Sequence, residues 1–274
     1  AYGVMGHPIA HSKSPQIHSR FAEQTGQHIT YDAILVDLGG FEQAVGNFQG
    51  NGGKGLNVTV PFKQDAWRLV DERSARAERA GAVNTIVIRD NGSLLGENTD
   101  GVGIVRDIRD NQGVAIEGKR VLVLGAGGAV RGILQPLLQE QPAEVFIANR
   151  TAPRAGELAS AFADLGNIKG GGFDALPETQ FDLVINGTAA SLQGEVPPLP
   201  ENLLAPGAIG YDMMYAAEPT AFVQWARDHG AAKALDGLGM LVEQAAESFF
   251  IWRGVRPETG PVIEALRAEL TGKS

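Results

Sequence analysis

The sequence predicts an α/β fold in two domains, on three observations. Strand-like and helix-like segments alternate along almost the whole chain, as they do around a mostly parallel sheet. At 274 residues the chain is long enough for two hydrophobic cores. The run Val121-Leu122-Val123-Leu124 is apolar without interruption, as a strand covered on both faces must be.

In the first series, strands are expected near 2–6, 29–36, 55–60, 84–89 and 93–97, and helices near 15–26, 40–49, 62–70 and 72–80. Ser14-Pro15 reads as an N-cap followed by Pro at the first helical position. Asn91-Gly92 reads as a two-residue hairpin turn. That register pairs Asp90 with Ser93 and brings Asn84 opposite Thr99, beside Asp100. A bridging helix is expected over 101–112.

A second series begins near Gly118, with strands near 120–124, 144–148, 181–185, 208–212 and 232–235. Helices lie between them, for example 128–140 and 153–163, and Pro136 should kink the first of these. Helical stretches at 239–253 and 257–270 close the chain. The sequence holds no internal repeat and no long linker.

Hydrophobic residues make up 43% and charged residues 20%, which is ordinary globular usage. The 36 glycines fall mostly in short loops and so mark tight turns. A net charge of -9 argues against nucleic acid and anionic membrane surfaces as partners. The absence of Cys removes disulfides, thiolate metal sites and Cys nucleophiles, and fits a reducing compartment. No apolar run approaches the ~20 residues of a membrane span, and the first residues carry no leader pattern. A cytoplasmic protein is expected. His7, His11, His18, His28 and His229 show no metal-ligand spacing with carboxylates, so no metal is expected.

The apolar run at 121–124 leads straight into Gly125-Ala126-Gly127-Gly128-Ala129-Val130 and a helical pattern. A first glycine permits the tight turn and a second lets backbone approach a pyrophosphate. The helix start adds free N–H groups and partial positive charge. Val130 stands where the common fingerprint has its third glycine. The next strand ends in Asn149-Arg150-Thr151, with Arg154 following. A carboxylate at that place would accept from a ribose 2′-hydroxyl and select NAD. Two guanidiniums suit a 2′-phosphate instead, so the expected cofactor is NADP(H).

Polar groups cluster in the first series. Ser12 and Ser14 flank Lys13 at a helix start. Asn57 and Thr59 share one face of a strand whose other face is Leu56, Val58 and Val60. Lys63 falls in the first turn of the next helix, where the helix dipole disfavours an ammonium. Asn84 and Asp100 should be neighbours at the open end of the hairpin.

These motifs resemble shikimate dehydrogenases over essentially the whole chain. The resemblance rests on Ser12-Lys13-Ser14-Pro15, Asn57 through Lys63, Gly81-Ala82-Val83-Asn84-Thr85, Asn98-Thr99-Asp100-Gly101 and Gly125 through Ala129. It continues through Asn149-Arg150-Thr151, Tyr211-Asp212-Met213 with Tyr215, and Asp236 through Leu241. It implies a discontinuous substrate-binding domain, 1–101 plus 239–274, a Rossmann-type NADP-binding domain, 102–238, and a cleft between them. Ser12, Ser14, Asn57, Thr59, Asn84, Asp100, Tyr215 and Gln244 would line the shikimate site, with Lys63 and Asp100 as the catalytic pair. Gly125, Ala126, Gly127, Gly128, Ala129, Asn149, Arg150, Thr151, Arg154, Thr188, Met213 and Gly237 would surround NADP(H). Ala189 and Ala190 depart from the serines common there, and Ala75 from a Glu.

The resemblance implies reversible reduction of 3-dehydroshikimate to shikimate by NADPH, in a monomer or homodimer. The nearest alternative is a relative acting on quinate as well, which would more often prefer NAD. An NADP-binding regulator without activity would have lost Lys63 or Asp100, and both are present.

Overall fold

The computed structural model describes residues 1–273. The first elements along the chain are β1 (Tyr2–Gly6), α1 (Ser14–Thr25), β2 (Tyr31–Leu35), α2 (Phe41–Gly50) and β3 (Gly55–Val58). Next come α3 (Lys63–Leu69), β4 (Glu72–Arg73), α4 (Ala75–Ala80), β5 (Thr85–Ile88), β6 (Leu94–Glu97) and α5 (Asp100–Arg106). A second run holds β7 (Arg120–Leu124), α6 (Gly128–Gln139), β8 (Glu144–Ala148), α7 (Ala152–Ala161), β9 (Ile168–Gly171) and β10 (Phe181–Asn186). It ends with β11 (Leu204–Asp212), α8 (Ala221–Asp228), β12 (Lys233–Leu235), α9 (Leu238–Arg253) and α10 (Gly260–Leu270). Among the described residues no helix is long and apolar enough to cross a membrane.

The chain forms two compact units. One comprises 1–103 with 241–263, the other 104–240 with 264–273. The expected division kept 239–274 together with the first series, whereas the described residues 264–273 group with the second.

In the first unit the sheet order is β2-β1-β3-β5-β6-β4. Only β5 runs against its neighbours, pairing antiparallel with β3 and β6. Leu56, Val58, Phe62, Val83 and Ile86 fill the core on one face. Val60, expected to share the Leu56 and Val58 face, is 68% exposed. The strand stops at Val58, and residues 59–62 close a turn in which Phe62 N–H donates to Thr59 O at 3.0 Å. Alternation therefore ends two residues early.

Two local expectations change. Glu72 and Arg73 form an edge strand on β6, so the helix read at 72–80 starts only at Ala75. Ser74 is its N-cap and accepts from Ala77 N–H at 3.1 Å, the geometry that ends an extended segment and starts a helix. The hairpin loop is Asp90-Asn91-Gly92, one residue longer than expected. Ile88 pairs with Leu94, and Gly92 takes φ +85°. A three-residue loop closed by a left-handed glycine is the common alternative to the two-residue turn. Thr85 therefore pairs with Glu97, and Asn84 is not directly opposite Thr99.

In the second unit the sheet order is β12-β11-β10-β7-β8-β9, and every pairing is parallel. Read outward from β7 this is the doubly wound order, which reverses between β7 and β10. Val121 through Leu124 are fully buried, as their unbroken apolar run requires. α6 continues through Pro136. β9 was not expected, because its Lys-Gly-Gly sequence carries no strand signal. Its Gly170 is needed by packing: a Cβ there would lie 2.2 Å from Ala155 O of α7. The 101–112 helix is α5 continued by a π-helical turn, Asp107–Asn111. Inside it the buried Asp107 carboxylate accepts from Tyr211 Oη at 2.6 Å and Asn111 Nδ2 at 2.9 Å. Burial raises the Asp107 pKa, with these donors opposing.

Candidate functional site

In the first unit, the end of β3, the start of α3, the β5 entry and the turn after β6 deliver polar side chains to one place. Lys63, the first residue of α3, donates to Asp100 Oδ2 at 2.8 Å. Both remain partly open to solvent, at 32% and 19%. Asp100 is oriented by its turn, where its N–H donates to Asn98 Oδ1 at 3.0 Å. Asn84 Nδ2 donates to Asp100 Oδ1 at 3.0 Å and to Thr99 Oγ1 at 2.9 Å. The neighbourhood of Asn84 and Asp100 read from the hairpin is therefore present, although the register behind it differs. The chain turns at Asn98 and carries Thr99 and Asp100 back over Asn84.

Asn84 is fully engaged. Its Oδ1 accepts from Thr99 N–H at 2.9 Å and Thr85 Oγ1 at 3.0 Å, so both lone pairs and both amide hydrogens have partners. Gln244 Oε1, on α9, lies 3.4 Å from both Asn84 Nδ2 and Thr99 Oγ1. Asn57 is buried, and its Oδ1 accepts from Tyr31 Oη at 2.6 Å.

Ser14 is the first residue of α1 and not its N-cap. The N-cap is Lys13, without a side-chain cap, and Ser12 Oγ accepts from Ser14 N–H at 3.2 Å. Pro15 then occupies the second helical position, where a missing N–H costs nothing. The Ser14 hydroxyl lies beside Tyr31, whose phenol pKa is pushed up by burial with Ser14 opposing. Thr59 packs its methyl near Gly6, where a Cβ would come within 2.5 Å of it. The first unit thus joins Ser14, Asn57, Lys63, Asn84, Asp100 and Gln244 through hydrogen bonds or Tyr31. Sequence reasoning assigned nothing to Tyr31 or Ser248, and Thr85 entered only as part of a motif. Side chains of this kind look like ordinary strand and helix residues until the sheet register is known.

His18 also lies under this network. It is fully buried, and neither ring nitrogen has a hydrogen-bond partner. It stacks on Tyr31 with ring centroids 4.3 Å apart and planes 7° apart. Burial lowers its pKa to about 3, which Asn57 opposes only in part.

In the second unit the glycine turn sits at the β7 end, beside the end of β10. Gly125 has φ +103°, a conformation that favours glycine, and its N–H donates to Ala148 O at 2.8 Å. Gly127 is the N-cap of α6 and offers no side-chain cap. A Cβ on Gly127 or Gly128 would meet no protein atom within 4 Å, and neither has positive φ. Nothing within the protein requires glycine at these two positions. Bare backbone ahead of a helix start fits a closely approaching phosphate group. Val130 is fully buried, and its Cγ2 lies 2.3 Å from where a Gly187 Cβ would be. The close packing that a third fingerprint glycine would allow is met here by a glycine just past the end of β10.

Asn149, Arg150, Thr151 and Arg154 follow β8. Asn149 Nδ2 donates to Thr151 O at 3.1 Å. Arg150 and Arg154 are exposed, and no ion pair involves either among the described residues. Two unpaired guanidiniums at this strand end, with no carboxylate in the ribose position, fit a 2′-phosphate. Thr188 is held by Asn186, whose Oδ1 accepts from Thr188 Oγ1 at 2.8 Å. Met213 N–H donates to Asn186 O at 2.9 Å. Gly237 lies against Met213, where a Cβ would stand 2.2 Å from its carbonyl oxygen. Behind these turns the buried Asp212 accepts from Ser191 Oγ at 2.7 Å, Thr220 Oγ1 at 2.6 Å and Met214 N–H at 3.0 Å. Tyr215, in the same unit, is partly buried; burial and the nearby Asp236 raise its pKa. Among the described residues no group of three or more His, Asp or Glu could hold a metal ion.

Comparison with known proteins agrees with this arrangement. A family model described as the shikimate dehydrogenase substrate binding domain matches residues 4–86. One described as shikimate / quinate 5-dehydrogenase matches 108–193, and one described as the shikimate 5'-dehydrogenase C-terminal domain matches 237–267. Shikimate dehydrogenase (NADP(+)) of Alkalilimnicola ehrlichii is 65% identical over 268 residues, covering 98% of each chain. That of Nitrosococcus oceani is 57% identical, over 100% of this chain and 97% of the relative. A crystal structure of shikimate 5-dehydrogenase from Thermus thermophilus, in complex with NADP(H) and shikimate, superposes with a TM-score of 0.86. It is 32% identical over 98% of this chain and 99% of that one. At these identities over nearly its whole length, the chain belongs to the NADP-dependent shikimate dehydrogenase family.

Proposed function

We propose that this chain reduces 3-dehydroshikimate to shikimate with NADPH, reversibly, in the biosynthesis of aromatic amino acids. The observation that carries the reading is the Lys63–Asp100 contact of 2.8 Å, bracketed by Asn84 and left open to solvent. The first unit is the substrate-binding part and the second the NADP-binding part. Ser12, Ser14, Asn57, Thr59, Asn84, Asp100, Tyr215 and Gln244 line the substrate, Asn57 and Asn84 doing so as amides held by bonds within the protein. Their hydroxyls and amides suit a compound with one carboxylate and several hydroxyls, and need no large positive patch.

NADPH, when bound, supplies the hydride. Gly125 through Ala129 would hold its pyrophosphate and Asn149 through Thr151 with Arg154 its 2′-phosphate, while Thr188, Met213 and Gly237 would flank the rest. Hydride addition to the carbonyl carbon would leave negative charge on its oxygen. The Lys63 ammonium donates a proton to that oxygen, a general-acid step. Asp100 orients Lys63 and the neighbouring substrate hydroxyl, and Asn84 holds its carboxylate in place. The lack of Cys supports a cytoplasmic setting. The test is direct: adding shikimate to enzyme and NADP+ should generate NADPH absorbance. Its absence, or a much larger response to quinate with NAD+, overturns the reading.

A further inference from the structure

Two hydroxyls lie beneath Asn57 and Asn84, and neither belongs to the site residues assigned above. Thr85 is the direct cross-strand partner of Asn57 in the β3–β5 ladder, so their side chains share a face. Ser248 reaches that face from α9. Both hydroxyl residues are fully buried. Asn57 Nδ2 donates to Ser248 Oγ at 3.1 Å and to Thr85 Oγ1 at 3.2 Å. Thr85 Oγ1 donates to Asn84 Oδ1 at 3.0 Å, and the two hydroxyl oxygens are 2.7 Å apart.

Counting hydrogens orders the network. Each hydroxyl has one hydrogen. That of Thr85 goes to Asn84, whose carbonyl can only accept. Ser248 must therefore donate at the 2.7 Å contact, in preference to Gln244 O at 3.2 Å. Both hydroxyl oxygens then accept from Asn57, which turns its Oδ1 toward Tyr31. One branch runs Ser248 to Thr85 to Asn84 to Asp100 and Lys63, and the other runs through Asn57 to Tyr31 and Ser14.

We propose that Thr85 and Ser248 are a positioning pair that locks the Asn57 and Asn84 amides together, so that shikimate affinity depends on two hydroxyls that need not touch it. The proposal rests on the shikimate reading of this site. In a polar core, removing one hydroxyl leaves its partners without a buried hydrogen bond and frees the amides to turn.

The test measures kcat and both KM values in Thr85→Val, Thr85→Ser and Ser248→Ala, with a thermal melt for each. Thr85→Val should raise the shikimate KM about tenfold, the size of one buried hydrogen bond. Its NADP+ KM should stay within about twofold of wild type. Thr85→Ser should restore most of the loss, and Ser248→Ala should raise the shikimate KM by a smaller factor. If Thr85→Val does not fold, Ser248→Ala and Thr85→Ser carry the test, as the expected partial loss and near-normal enzyme. A normal shikimate KM in folded Ser248→Ala overturns the pair. So does Thr85→Ser behaving like Thr85→Val, or an equal rise in both KM values. Wild-type enzyme without shikimate-dependent NADPH formation overturns the underlying reading instead, so the two failures are told apart.

Discussion

Lys63 and Asp100 differ in what each can do alone. Lys63 carries the hydrogens that can leave, while Asp100 is held by Asn84 and by its own turn. Lys63→Ala should lower kcat about 10²–10⁴-fold, the usual worth of a general acid, with little change in the shikimate KM; near-normal turnover would remove Lys63 from the chemistry. Arg150→Ala should weaken NADP(H) far more than NAD(H), because only the former has a phosphate for the guanidinium to hold. Equal weakening of both would show that Arg150 does not read the 2′-phosphate. His18 supplies a pH signature of a different kind. Its folded pKa is about 3, against 6.5 for a solvated imidazole. The unfolded chain binds the extra proton between those values, so stability falls as pH drops from 6.5 toward 3, by at most about 1.4 kcal/mol per pH unit. His18→Phe keeps a ring against Tyr31 and should flatten the fall in urea midpoint between about pH 7 and pH 5. An unchanged slope would falsify this account.

Among the elements, those with strong local signals were legible and those made by packing were not. The run at 121–124 could only be a buried strand, and Gly125 acts through its own backbone conformation. β4 and β9 exist because a neighbouring strand pairs with them, and two or four residues of Glu-Arg or Ile-Lys-Gly-Gly carry no period to read. The motif residues of the site were legible because they resemble a known family. Thr85 and Ser248 were not, since their meaning depends on the β3–β5 register and on α9 crossing it. The hairpin shows the same limit: one extra loop residue moved the register, and the Asn84–Asp100 contact survived only because the following turn folds back. At this scale Tyr211→Phe should cost about 1–3 kcal/mol, since Asp107 would lose its phenol donor while remaining buried. The denaturation midpoint reads this directly, and an unchanged midpoint would contradict a stabilising role for the pair.

Across the whole molecule the net charge is -9, yet the expected cofactor is an anion. Attraction must come from local groups such as Arg150 and Arg154, which salt screens effectively at the surface. NADP(H) affinity should therefore fall more steeply with ionic strength than NAD(H) affinity, as titration at low and high salt can measure. The two-unit organisation was legible in outline from the two strand series. The allocation of 264–273 was not, because Arg267 joins Asp236 through two guanidinium contacts that sequence spacing does not announce.

The Val130 and Gly187 pair has a consequence for how such sites evolve. The side chain at one position occupies the space released by its absence at the other, so the two should change together. Gly187→Ala alone forces a methyl to within 2.3 Å of Val130 Cγ2, while shortening Val130 at the same time restores the room. A search that demands the third glycine in its usual place would pass over this enzyme. The same spatial rule is kept by a glycine in the turn after β10, which makes the fingerprint a property of the fold more than of any contiguous stretch of sequence.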